Sequence, residues 1–411
     1  MRTKAVRLYG EKDLRLEEFE LPEIADGEIL IKVISDSVCM STYKTALQGA
    51  KHLRVPDDVG ENPIIVGHEF CAEIAMVGKK WKNDYKVGDK VVVPPVLSYL
   101  GANQTVGYSF KDIGGASTYS IVYEHIISNG FLIKLNSDAF FKGSLIEPAS
   151  CVLRGYKANY HMNGDAPYMN IKEGGKVAIL AGCGPMGLVA IDVALHGTRK
   201  PSLVVVTDLN DERLSRAEQI FSPEAAERDG IKLVFVNTAS KDELMEISGG
   251  AGYDDVFVYA PISSVVELGD SILAFDGCLN FFAGPIDKAF SAPINFYNVH
   301  YAQHHYAGTS GSTPDDMRDV VKLIGEGRID PAVMVTHIGG MDSVIDTTLN
   351  LPSVPGGKKL IYTHIELPLT AISDFAELGK RDERFKTLSD IVESHNGLWC
   401  AEAEKYLLEN F

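Results

Sequence analysis

An apolar run at residues 176–181 passes without a spacer into Gly182-Cys183-Gly184-Pro185-Met186-Gly187, and from there into residues 188–196, which have helical composition. A strand that turns through three glycines into a helix can be built in few ways. The first glycine permits the tight turn, the second lets a pyrophosphate approach the backbone, and the third lets the helix pack closely on the strand. The free N–H groups of the helix N-terminus then face an anion. Gly182, Gly184, Pro185, Met186 and Gly187 are therefore expected to cradle a dinucleotide.

The flanking sequence agrees with that expectation. Apolar runs at 177–181, 203–207, 233–236, 256–259 and 279–283 alternate with helix-like segments, the pattern of a doubly wound parallel α/β sheet. Asp208 follows the second run, 21 residues beyond Gly187. An acidic group there accepts hydrogen bonds from both ribose hydroxyls and repels a 2′-phosphate, which favours NAD over NADP. Arg213 could stack on adenine or tolerate that phosphate, so use of both cofactors stays open. The loop after the fifth run, with Ala283 and Gly284, is placed either to contact the nicotinamide or to serve as an ordinary turn.

Residues 1 to about 150 read differently. Short strands at 28–35, 90–93 and 120–123 are separated by turn signals such as Val87-Gly88-Asp89 and Gly114-Gly115, as expected of an irregular β-rich domain. Within it stand Cys39, Gly67-His68-Glu69 and Glu147-Pro148. Structural zinc sites draw on close ligand pairs, whereas catalytic zinc takes ligands from distant segments and keeps a position open. Gly67 permits a bend that lets His68 face a metal, with Glu69 as a fourth ligand or just outside the ligand shell. One thiolate, one neutral imidazole and the Glu147 carboxylate would neutralise a divalent ion while leaving it Lewis acidic.

Composition narrows the partners. The chain has 411 residues, enough for two domains or one split by an insertion, and 39 basic against 56 acidic side chains give a formal charge of −17. That balance disfavours nucleic acid and anionic membranes. Residues 1–10 lack an apolar signal core and no stretch reaches the length of a membrane span, so a cytoplasmic location is expected. Six cysteines without a CxxC pair predict free thiols. An anionic substrate would need a local basic cluster, for which Lys44, Lys51, His52 and Arg54 are candidates beside the small-residue loop Gly308-Thr309-Ser310-Gly311. A solvated surface run explains the basic residues equally well.

Taken together, Gly67-His68-Glu69, Val77-Gly78, Val87-Gly88-Asp89-Lys90-Val91, Gly114-Gly115, Glu147-Pro148 and the loop 182–187 resemble, in order and spacing, the zinc-dependent medium-chain alcohol and polyol dehydrogenases. The resemblance covers residues 1 to about 365. Cys39-Met40-Ser41-Thr42-Tyr43-Lys44, residues 181–188 and the tail ending Leu398-Trp399-Cys400-Ala401-Glu402 are more specifically similar to the sugar-phosphate branch, the L-sorbose 1-phosphate reductases. The resemblance implies a Rossmann domain (153–300) inserted in a GroES-like catalytic domain (1–152 and 301–365); beyond it, residues 366–411 are expected to form a helical extension, from their helical composition and amphipathic face. It implies that Cys39, His68 and Glu147 bind catalytic zinc with Glu69 beside it, and that Ser41 relays the substrate proton, although a plain helix cap explains Ser41 as well. It further implies a homodimer or homotetramer.

Four departures qualify it. Ala72 replaces a glycine, and Lys44 stands where many members have the outer histidine of the relay. Residues 94–111 carry no cysteine for a structural zinc lobe, so one zinc per chain is expected, and the tail is longer than usual. The reaction expected is reduction of a ketose phosphate, L-sorbose 1-phosphate to D-glucitol 6-phosphate, by NAD(P)H. An unphosphorylated polyol dehydrogenase is the alternative, and a non-catalytic dinucleotide-binding protein the remote one.

Overall fold

A computed structural model describes residues 1–101 and 103–411. The chain divides into two compact units, one of Met1–Glu147, Thr313–Gly325 and Val335–Phe411, the other of Pro148–Ser312 and Glu326–Met334.

The second unit is a six-stranded, all-parallel sheet. Its strands lie in the order Lys232–Val236, Leu203–Thr207, Lys176–Leu180, Tyr253–Val258, Leu273–Phe281 and His305–Ala307. The first strand in sequence therefore lies between the second and the fourth, and the order reverses there, which opens a crevice at the carboxyl ends of the strands. Val177, Ile179 and Leu180 are fully buried, and each contributes roughly 1.5–3 kcal/mol by leaving water. The helix Pro185–His196 is buried from Gly187 to Leu195, which explains its apolar character all round. Its one buried charge, Asp192, is bonded to the His196 ring and the Asp330 N–H.

Five of these strands fall on the runs expected from sequence. The sixth does not. His305–Ala307 lies past residue 300, where the alternation of apolar runs fades, because its three residues are only partly buried and carry no apolar pattern. The N-terminal bounds of the fourth and fifth strands also lie earlier, at Tyr253 and Leu273, where Asp254, Asp255 and Asp276 interrupt the apolar sequence.

In the first unit, strand Ile29–Val38 is the spine of an eight-stranded sheet. It pairs with Phe70–Val77 along most of its length, with Tyr119–Val122 over its first half and with Lys358–Tyr362 over its second. Burial of Ile29, Ile31 and Val33 against Phe70, Ala72 and Ile74 fixes the register, since a slip of one residue would turn every apolar side chain outward. Asp36 stands opposite Phe70, and Val38 opposite Lys359. Three segments far apart in sequence thus end together: Cys39 after Val38, Glu69 before Phe70, and Lys358 at the head of its strand.

The extension beyond residue 366 is helical, with helices Phe375–Leu378, Glu383–Ser394 and Ala401–Asn410. Trp399 is buried and its indole N–H donates to the Tyr362 hydroxyl at 2.7 Å. Glu404 is buried too, accepting from the backbone N–H groups of Phe140 and Phe141 at 2.6 and 2.7 Å and from the Tyr362 hydroxyl at 3.0 Å. No helix among the described residues is long and apolar enough to cross a membrane.

Candidate active site

His68 owes its direction to Gly67. That glycine sits at φ +91°, and a Cβ there would lie 2.4 Å from the Asp36 carboxylate and 2.6 Å from the Ala116 nitrogen. Only glycine turns the chain here, carrying His68 into the interior while Glu69 enters the next strand. Cys39, His68 and Glu69 place one donor atom each within 4.8 Å of one another, and the histidine and glutamate are buried.

The helix Met40–Gln48 begins directly after Cys39 and supplies two hydroxyls. Ser41 Oγ lies 2.9 Å from Cys39 Sγ and 3.3 Å from His68 Nε2. Thr42 Oγ1 lies 3.3 Å from His68 Nδ1. A proton on Nδ1, donated to Thr42, leaves the lone pair of Nε2 directed toward Cys39 and Ser41, the tautomer a metal needs. The Tyr108 hydroxyl closes the same side, 3.5 Å from Nε2.

Glu69 is held by Lys358, whose ammonium donates to both carboxylate oxygens at 2.6 Å. Burial raises the Glu69 carboxyl, but the charges of Lys358 and His68 outweigh it and leave the group below its ordinary value. Cys39 goes the other way: burial, with Glu69 and Glu147 adding, pushes the thiol up to about 12. A thiol so raised becomes a thiolate only beside a strong cation. The donor set of soft sulfur, imidazole and carboxylate is the chemistry zinc takes, so these residues fit that ion.

Glu147 stands in the first turn of helix Ile146–Ala158, near enough for its charge to act on Cys39 and Lys358. It is not among the three residues whose donors cluster within 4.8 Å. Lys44 is half-buried in the helix that carries Ser41. Ala72 is buried in strand Phe70–Val77, where its methyl packs in the core. Thr42, Tyr108 and Lys358 escaped the sequence reading. The pair Lys358-Lys359 opening an apolar run was the one available signal, since a lysine inside a strand core demands a carboxylate; nothing marked Thr42 or Tyr108.

In the second unit the glycine loop has the geometry its sequence implies. A Cβ on Gly187 would lie 2.1 Å from the Gly182 carbonyl oxygen, so helix and strand meet there as closely as backbone allows. Gly184 faces open space, with Pro185 in the first helical turn after it. Asp208 accepts from the backbone N–H groups of Cys183 and Asn210 at 3.3 and 3.1 Å, so its carboxylate sits at the loop. Arg213 is exposed in helix Asp211–Ile220, and its charge acts on Cys183. Ala283 and Gly284 follow the fifth strand, with the Ala283 N–H bonded to the Val258 carbonyl at 3.1 Å. Met186 is half-buried in the first turn of the helix.

A β-rich unit in which the Cys39, His68 and Glu69 donors cluster, joined in one chain to a parallel sheet of this strand order, is the architecture of the zinc-binding, dinucleotide-linked dehydrogenases. Residues 25–129 match the alcohol dehydrogenase GroES-like domain. Over its whole length the chain is 49% identical to the uncharacterised Escherichia coli protein YggP, covering 98% of it. Over 99% of the chain it is 48% identical to L-sorbose 1-phosphate reductase of Klebsiella pneumoniae and 46% identical to mannitol-1-phosphate 5-dehydrogenase of Aliivibrio fischeri, covering 97% of each. Among solved structures, 2R,3R-butanediol dehydrogenase of Bacillus subtilis superposes with a TM-score of 0.71 at 25% identity, over 88% of this chain and 100% of that one. The chain belongs to the zinc-binding medium-chain dehydrogenase/reductase family, and its fold is that of the NAD(P)-dependent members.

Proposed function

We propose that the protein interconverts a ketose phosphate and a hexitol phosphate, with L-sorbose 1-phosphate and D-glucitol 6-phosphate as the first pair to test. The observation that carries the reading is the similarity, at 48% and 46% identity over nearly the full length, to two enzymes named for hexose- and hexitol-phosphate chemistry. Cys39 and His68, with Glu147 or Glu69 as the carboxylate, would hold a zinc ion, which would supply Lewis acidity toward the substrate carbonyl. Gly182, Gly184, Pro185, Met186 and Gly187, with Asp208 for the ribose, would hold NAD(H), which would supply or accept the hydride; Arg213 leaves NADP(H) open, and Ala283 and Gly284 are the candidates for contact with the nicotinamide.

The chain's own residues do the rest. Ser41 Oγ, beside both Cys39 and His68, holds the proton that the substrate oxygen gains on reduction and loses on oxidation. Lys44, on the same helix, is the outer proton acceptor in this reading. Lys358 keeps Glu69 charged and turned toward its ammonium, so Glu69 serves as a neighbour that can exchange onto the ion. Thr42 fixes the His68 ring, and Tyr108 covers one side of the site from water. A second reading, an unphosphorylated polyol or diol dehydrogenase, draws on the likeness to butanediol dehydrogenase.

A panel of sorbose 1-phosphate, fructose and tagatose phosphates and the free sugars, each with NADH and NADPH, separates the two. We expect kcat/KM for a ketose phosphate to exceed that for its free sugar by ~100-fold or more, the scale of losing a charge-assisted contact. Equal rates with and without the phosphate would favour the second reading.

A further inference from the structure

Tyr108 forms a wall between the candidate metal ligands and a basic segment. It is 3% exposed, and its hydroxyl reaches His68 Nε2 at 3.5 Å while the two rings lie 5.0 Å apart. Against the same phenol ring, His52 stacks at 5.6 Å with an interplanar angle of 22°, and the Arg54 guanidinium carbon lies 5.6 Å from the ring centroid. A guanidinium and an imidazole thus stand one aromatic ring away from the metal donors.

The segment that carries them is built rather than loose. The Arg54 N–H donates to His52 Nδ1 at 3.3 Å, Val55 N–H to the His52 carbonyl at 2.9 Å, and the Ser109 hydroxyl to the Arg54 carbonyl at 2.7 Å. With Nδ1 accepting, a neutral His52 keeps its ring proton on Nε2 and remains a hydrogen-bond donor. Lys51 is paired with Glu11 at 2.5 Å and points to solvent, and Lys358 is committed to Glu69. The Arg54 guanidinium makes no ion pair among the described residues, in a chain of net charge −17. An unpaired arginine set on a buried aromatic face beside such a site is arranged to meet an anion that enters with the substrate. The guanidinium fork matches phosphate oxygens in pairs, which a lysine cannot do.

We infer that Arg54 and His52, carried on the face of Tyr108, form the subsite that receives the phosphate group of the substrate. The inference rests on the ketose-phosphate reading above and names the residues that give that reading its selectivity. Of the four basic residues in this stretch of sequence, it keeps two and sets aside Lys44 and Lys51.

The test uses the zinc-loaded protein saturated with cofactor. In Arg54→Gln we expect the loss of kcat/KM on a ketose phosphate to exceed the loss on the free ketose by roughly 30- to 100-fold, the low end for removing one partner of a charge-assisted contact. Arg54→Lys, which keeps the charge and loses the fork, should fall between. Calorimetric binding of inorganic phosphate should weaken to a similar degree in Arg54→Gln, with thermal melts showing both variants folded. Equal losses on the phosphorylated and free sugars, or inorganic phosphate binding equal to wild type, would overturn the subsite. A wild type indifferent to the sugar's phosphate would instead overturn the ketose-phosphate reading, and inorganic phosphate binding would still decide the subsite.

Discussion

Lys358 is buried at the head of its strand, an environment that disfavours an ammonium unless a carboxylate meets it. Glu69 provides both oxygens, and each member of the pair is costly alone. Lys358→Met should therefore destabilise the fold by about 3–5 kcal/mol, because it leaves Glu69 buried and unpaired. Urea unfolding of the metal-free protein measures this, and a change below ~1 kcal/mol would mean that Glu69 finds another partner. At this scale the sequence exposed the candidate ligands and hid their supports. Cys39 and His68 are legible because a thiol and an imidazole on distant segments, the imidazole placed by the Gly67 bend, match the ligand types of catalytic zinc. Lys358 is 289 residues from Glu69, and only strand pairing brings the two together.

The glycine loop was the most legible element, since three glycines between a strand and a helix carry their geometry with them. It also allows two glycines to be told apart by experiment. Gly187→Ala puts a methyl against the Gly182 carbonyl oxygen at 2.1 Å and should cost about 1–3 kcal/mol of stability, as overpacking does. Gly184→Ala meets nothing within 4 Å and has φ −77°, so folding should change by less than ~0.5 kcal/mol. NADH binding by fluorescence titration should nonetheless weaken by about tenfold or more, ~1.4 kcal/mol, because the methyl fills the space kept for the pyrophosphate. Unchanged NADH affinity would place the dinucleotide elsewhere.

The C-terminal helices are an element whose existence the sequence showed through amphipathic composition, and whose purpose it did not. Their Glu404 ties the backbone of Phe140 and Phe141 to Tyr362. Burial raises its carboxyl to about 7 from an ordinary 4.5, against the lowering effect of the Phe140 and Phe141 N–H groups. The folded chain therefore holds this proton more tightly than the unfolded one. The stabilisation is complete below about pH 4.5 and is lost as pH rises to about 7, an amount of ~3 kcal/mol. Stability measured against pH in wild type and Glu404→Gln should differ in slope across that window and run parallel above it. Parallel profiles throughout would show that Glu404 titrates normally.

At the scale of the whole molecule, each compact unit holds one part of the chemistry: sulfur, imidazole and carboxylate in the first, the glycine loop and Asp208 in the second. The alternation of apolar runs announced the parallel sheet, and short strands between turn signals announced the β-rich unit. The sixth strand and the return of residues 326–334 to the second unit were not legible, because a short, half-buried strand and a single turn of 3₁₀ helix have too few buried side chains to impose a period. The proposed function requires a single catalytic zinc bound through Cys39, a requirement checked by metal content measured together with turnover in wild type and Cys39→Ser. One zinc per wild-type chain is expected, with metal and NAD(P)-linked turnover lost together in the variant; a metal-free chain that still reduces ketoses would contradict it.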